Sequence, residues 1–254
     1  MFDIFVQLGP TTIILVGVAA IFTAALHGAT GVAGGFLMTA ALAAIIGVKP
    51  VVPVMSVALL ISHSSRVLLN HANFNKQTYW AITIPATPCI VASAWLYGKM
   101  TSSVIALLLG TVILLAIPLR RWAMSREIKT TRKTLAGAAV VYGGLSGASI
   151  GGGMVLIPFM LGSGLTREAF VATLAAIAFT TNVTRTTIFG TTELLDMQYL
   201  FLGIFVGLMT IPGNLIGRSI LRKLTNSRHA TIVDVLTIIG ALNFFWMAYR
   251  ASGT

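Results

Sequence analysis

The chain has 254 residues, 56% of them hydrophobic and only 9% charged, whereas an ordinary soluble domain is about 25% charged. With a mean hydropathy of +0.92 and long apolar stretches separated by short polar knots, the composition excludes a water-facing globule and points to a chain solvated by lipid. The net charge of +11 comes from basic residues gathered at the ends of apolar segments. That is a membrane topology signal rather than a nucleic-acid surface.

In chain order, the opening MFDIFVQLGP carries no Lys or Arg ahead of the first apolar run. It therefore lacks the basic region of a cleaved signal peptide, and the first segment is expected to be a mature span. Apolar runs bounded by charge, Pro or Gly place elements at 8–27, 31–47, 50–70, 78–98 and 101–119. The polar stretch RRWAMSREIKTTRK (120–133) follows, and then come 134–149, 152–163, 166–188, 196–220 and 230–249. The single cysteine, Cys89, lies inside an apolar run and reads as a small core residue, which excludes an intramolecular disulfide or a cysteine metal cluster.

The ten elements fall into two sets of five that match in order. Each second element opens on a glycine cluster, HGATGVAGGFLM (27–38) and SGASIGGGMVLIP (146–158). Each third carries an arginine behind a polar run, SHSSR (62–66) and TTNVTR (180–185), and each fourth carries a mid-span proline, Pro88 and Pro212. An internal duplication is expected, with residues 1–125 forming the N-terminal repeat up to the start of the linker and 126–254 the C-terminal one.

Placing the linker in the cytoplasm puts most of the seventeen basic residues there, including Lys76, Arg167 and the cluster Arg218, Arg222, Lys223 and Arg228. The acidic knot TTELLD (191–196) and both termini then fall outside. The 152–163 segment is too short to cross about 30 Å of hydrocarbon at about 1.5 Å per residue. The glycine-rich pair either crosses twice or dips in and returns, with both ends on one side. Halves with an odd number of passes have opposite orientation, so the predicted fold is an all-α polytopic membrane protein of two inverted five-element repeats, each with a Gly-rich helical hairpin.

Glycine clusters at a helix start inside the bilayer leave backbone N–H groups aimed at one spot, which the helix dipole makes suitable for an anion. Gly31, Gly34 and Gly35 are the candidates in one half, and Gly151, Gly152 and Gly153 in the other. The alternative is close helix packing at small residues. Arg66, with Ser62 and His63 on its helix face, and Arg185, with Thr181 and Asn182, occupy matching positions. A guanidinium fork suits a carboxylate, sulfite or sulfonate oxygen pair. Near a helix end, however, such a side chain can also snorkel to the headgroups. His27 and His63 are further candidates for binding substrate or titrating, or are hydrogen-bonding packing residues.

The six acidic residues all lie at or near predicted segment ends, so no buried carboxylate is expected for a proton relay or for holding a cation. No HExxH or P-loop is present, so the chain does not read as an enzyme and no cofactor is expected.

The paired motifs GVAGGFLM and GASIGGGMVLIP, in a chain of this length, resemble the TauE/SafE family of sulfite and organosulfonate exporters over essentially the whole sequence. The second-half GGGxxxxP pattern carries most of the likeness, and the first half departs from it with Thr39 near the place of Pro158. The resemblance implies a bacterial inner-membrane secondary transporter, exporting a small sulfur-containing anion such as sulfite or sulfoacetate by alternating access. A passive anion channel, or a carrier of another small carboxylate or sulfur oxyanion, is the alternative reading. The expected partners are the small anionic substrate and the lipid bilayer, with no nucleic acid, and the chain acts as a monomer or a homo-oligomer.

Overall fold

A computed structural model describes residues 3–30, 33–125, 130–221 and 226–252. All of its regular structure is helical: α1 (Asp3–Thr30), α2 (Ala33–Ile46), α3 (Val48–Asn70), α4 (Lys76–Lys99), α5 (Ser102–Ser125), α6 (Arg132–Ala148), α7 (Ile157–Leu161), α8 (Arg167–Thr191), α9 (Met197–Leu221) and α10 (Asn226–Ser252), with short 3-10 turns at His71–Asn73 and Gly152–Val155.

Polar caps set these boundaries just outside the apolar runs. Asn75 accepts from Thr78 N ahead of α4, Thr166 accepts from Ala169 N ahead of α8, and Thr131 and Thr134 cap α6 reciprocally. Backbone hydrogen bonding thus continues through interfacial polar residues where hydropathy has already fallen, and α10 starts at Asn226 rather than 230. One expectation is corrected by this packing. Asp234, read as lying near a segment end, is buried at 7% exposure within α10.

Among the described residues, five helices are long and apolar enough to cross a membrane: Ile4–Leu26, Val48–Leu68, Lys76–Lys99, Ser102–Leu119 and Met197–Ile216. Large apolar side chains face outward, with Ile14, Val18 and Phe22 of α1, and Leu242 and Trp246 of α10, more than half exposed. Such a surface is stable only against lipid.

The two glycine-rich elements differ. In the first half α2 is a continuous helix of 14 residues, roughly 21 Å long and short of the roughly 30 Å hydrocarbon core. In the second half the expected helix over 152–163 is instead a 3-10 turn followed by the five-residue α7. Gly151, at φ 99°, turns the chain there, and Pro158 sits at the start of α7. The chain then returns to where it entered: Thr130, just ahead of α6, donates through Oγ1 to Phe159 O at 2.8 Å and through N to Gly162 O at 3.3 Å. Residues 130–162 therefore double back, with both ends at one end of the bundle.

Side-chain contacts orient the long helices relative to the end of the bundle at which α6 starts. Tyr97 at the end of α4 donates to Lys49 O at the start of α3, and Ser103 at the start of α5 donates to Ala248 O near the end of α10. Gly143 and Gly147 of α6 pack against Ala86 and Ile90 of α4, so those helices are parallel. Gly203 and Gly207 of α9 meet Val54 and Ala58 of α3 in the same sense, and Gly17 of α1 meets Phe205 and Met209. Helices α4, α6, α8 and α10 thus run away from the end at which α6 starts, and α1, α3, α5 and α9 run toward it.

Candidate functional site

Arg185 is the best defined of the expected residues. It projects from α8 and is only 3% exposed, so it does not snorkel. Its Nη1 donates to Ser146 O at 3.0 Å and Ser149 O at 2.8 Å, and Nη2 donates to Asn182 Oδ1 at 2.6 Å. The guanidinium closes the C-terminal end of α6, where the chain leaves the helix and the carbonyls lack intrahelical partners. Asn182 is held in turn by Nδ2 donating to Ala178 O at 2.7 Å. Nε of Arg185 is buried without a hydrogen-bonding partner. Three of the five guanidinium N–H groups are used, and the charge meets neutral acceptors rather than a carboxylate.

Thr181, one residue before Asn182, is buried and pairs with Tyr142 of α6 at 2.6 Å, oxygen to oxygen. His63 on α3 lies within electrostatic reach of both Arg66 and Arg185, so the matching polar runs of the two halves converge. Arg66 and His63 are half-buried.

The glycine positions separate by surroundings. The Phe36 ring, from the first turn of α2, lies against Gly151, and the space a side chain would need at Gly152 is filled by Ser146 Oγ. Gly35 faces Ile150, whereas Gly153 has open space around it. The two glycine-rich elements therefore meet inside the bundle, in a continuous path from the start of α2 through Phe36 and Gly151 to Ser149 and Arg185. Close packing accounts for Gly151 and Gly152. The segment that follows them is a 3-10 turn rather than an α-helix start, so the expected row of helix N–H donors does not form there.

Gly34, Gly35 and Ser62 line one cavity, between α1, α2, α3 and α9. Thr23, Thr210 and Asn214, which the sequence reading did not single out, line it too. Asn214 Nδ2 donates to Ser62 Oγ at 3.1 Å, and Asn214 Oδ1 is buried without a partner. The signal for Asn214 was present as an amide within an apolar span, two residues after Pro212. The cavity measures ≈ 20 Å³, room for about one water-sized group, so a sulfur oxyanion enters only if the walls part. His27 lies in α1 with its side chain outside the described residues, and Gly31 is also outside them. Among the described residues no cluster of His, Cys, Asp or Glu is arranged to hold a metal.

Stacked apolar spans with a buried guanidinium where the start of α2 meets a broken return limb define a multi-pass helical membrane protein with polar groups in its interior. A family model described as sulfite exporter TauE/SafE matches residues 15–244. The chain belongs to that family of transporters. No curated protein and no solved structure matches it.

Proposed function

We propose that this protein is a secondary transporter that exports a small sulfur-containing anion, sulfite or a C2 organosulfonate such as sulfoacetate, by alternating access across a bacterial inner membrane. The observation that carries the reading is Arg185, a buried cation offset by no carboxylate and keeping Nε–H unused. An isolated buried charge is costly. An anion accepting from Nε–H and the remaining Nη2–H relieves that cost with the bidentate geometry that guanidinium favours. Arg66 is its counterpart in the other half. Ser62, His63, Thr181 and Asn182 orient the anion, with Gly34 and Gly35 at the start of α2, and Gly153 leaves backbone room for it.

The helix pairing supports an inverted repeat divided near 125/126. Exchanging α1 with α6, α3 with α8, α4 with α9 and α5 with α10 converts the pair α1·α9 into α6·α4 and α3·α9 into α8·α4. The pairs α3·α8 and α5·α10 map onto themselves. Related helices run in opposite directions, as alternating access between two equivalent halves requires. With the basic linker cytoplasmic, both termini lie outside.

Thermal unfolding of the purified protein in detergent tests the binding site. Sulfite or sulfoacetate is expected to raise the midpoint saturably, while acetate, taurine, isethionate and thiosulfate rank the anion preference. Arg185→Lys keeps the charge but loses the fork, and is expected to weaken the best anion about tenfold, the equivalent of one good interaction. A midpoint indifferent to every anion contradicts the proposal.

A further inference from the structure

We propose that Tyr97 and Phe189 form the outer gate of the transport pathway, an aromatic seal that must part before an anion held at Arg185 leaves the protein. The inference rests on the transport reading above, and outside is the end of the bundle opposite the start of α6, as in the topology proposed there. Arg185 lies ~9 Å along the helix before α8 ends at Thr191. Phe189 follows one turn later on a shared face, so its ring occupies the next level outward. That ring meets Tyr97, from the last turn of α4, with centroids 5.4 Å apart and a tilt of 55°. Both side chains are fully buried, and Tyr97 lies within electrostatic reach of Arg185.

An oxyanion moving outward from Arg185 finds no donor on this pair. The one polar atom is turned aside: Tyr97 Oη donates to Lys49 O at 2.8 Å, with Val48 O at 3.2 Å, and so its only proton is used. The loop between α8 and α9 fastens the seal. Glu193 takes a left-handed φ of 59°, and Leu194 N and Leu195 N both donate to Phe189 O, at 3.0 and 3.1 Å. The Leu194 side chain reaches Gly98, with Cδ1 3.2 Å from the place a Cβ would take there. The loop thus ties the backbone of Phe189 to the residue beside Tyr97, and the rings separate only if the ends of α8 and α4 part.

The amino-acid sequence makes this seal one-sided. Phe189 follows Arg185 by four residues, and the residue four after Arg66 is Asn70. Tyr97 follows Pro88 by nine, and the residue nine after Pro212 is Leu221. Asn and Leu form no ring pair, so the aromatic contact favours only the state closed to the outside. Such a bias sets the resting population of the two states and leaves the direction of net transport to the gradients.

Access to a thiol beside Arg185 tests the gate without any substrate. In the full-length protein carrying Cys89→Ser and Ser149→Cys, the reporter stands on the residue whose carbonyl Arg185 holds. A membrane-impermeant thiol reagent is added to right-side-out or to inverted vesicles, and the labelling rates from the two sides are compared. Phe189→Ala is expected to raise the outside rate about tenfold, the equivalent of one lost aromatic pair, with the inside rate unchanged or lower. Phe189→Leu and Tyr97→Phe keep most of the packing and are expected to shift the outside-to-inside ratio the same way by less, and they carry the test should the alanine variant not fold. Equal acceleration from both sides, acceleration from the inside alone, or an outside rate unmoved in all three variants overturns the gate. Sulfoacetate is expected to slow the labelling. Protection by the anion with no effect of the ring variants leaves the transport reading standing and removes the gate, whereas a raised outside rate without protection by any anion leaves the one-sided seal and removes the transport reading.

Discussion

Arg185 holds three buried acceptors at once, two carbonyls at the end of α6 and the Asn182 amide oxygen. Truncating it strands all three, at about 1–3 kcal/mol each. Arg185→Ala is therefore expected to lose at least ~3 kcal/mol of stability in a denaturant titration in detergent, beyond any effect on anion binding. The glycines give a sharper contrast. Gly151→Ala meets the Phe36 ring at a left-handed φ of 99° and is expected to destabilise, whereas Gly153→Ala, with nothing within 4 Å, is expected to leave the midpoint unchanged. At this scale the sequence disclosed residue types better than roles. A polar run behind an intramembrane arginine was visible, but the use of its N–H groups on the carbonyls of another helix is a tertiary fact. Thr23 and Thr210 escaped notice because a lone threonine in an apolar span is equally well read as bonded to its own helix, which both also are.

Glycine spacing decides how closely the helices approach. On α6, Gly143 lies with Cys89 Cβ and Ala86 Cα at 2.9 and 3.0 Å from the position a side chain would take, whereas neighbouring Gly144 has open space. Gly143→Val is expected to separate α4 from α6 and to lower the unfolding midpoint by several degrees, and Gly144→Val to change it little. A comparison of the two by thermal scan in the same detergent checks this. Helix positions were legible because an apolar run bounded by charge is a strong signal in lipid, although the helices run past it by up to six residues, as at the end of α5. The broken return limb at 152–161 was less legible. Its length suggested a segment that cannot cross, but the replacement of a helix by a 3-10 turn depends on Phe36 and Ser146 filling the space beside Gly151 and Gly152.

Across the whole molecule, the starts of α4, α6, α8 and α10 share one end of the bundle, and Lys76, Arg132, Arg167 and Arg228 fall within the first turn of those four helices. The start of α2 and the broken 152–161 limb meet near a buried guanidinium held by neutral acceptors, and the neighbouring cavity of ≈ 20 Å³ is too narrow for an oxyanion without motion. A carrier moving between two such states has a signature that a channel lacks. The most direct measurement is counterflow of radiolabelled sulfite into proteoliposomes preloaded with unlabelled sulfite. Saturable uptake accelerated by the internal substrate and strongly reduced by Arg185→Lys is the expected result. Flux that grows linearly with concentration and ignores the internal substrate would contradict the alternating-access account.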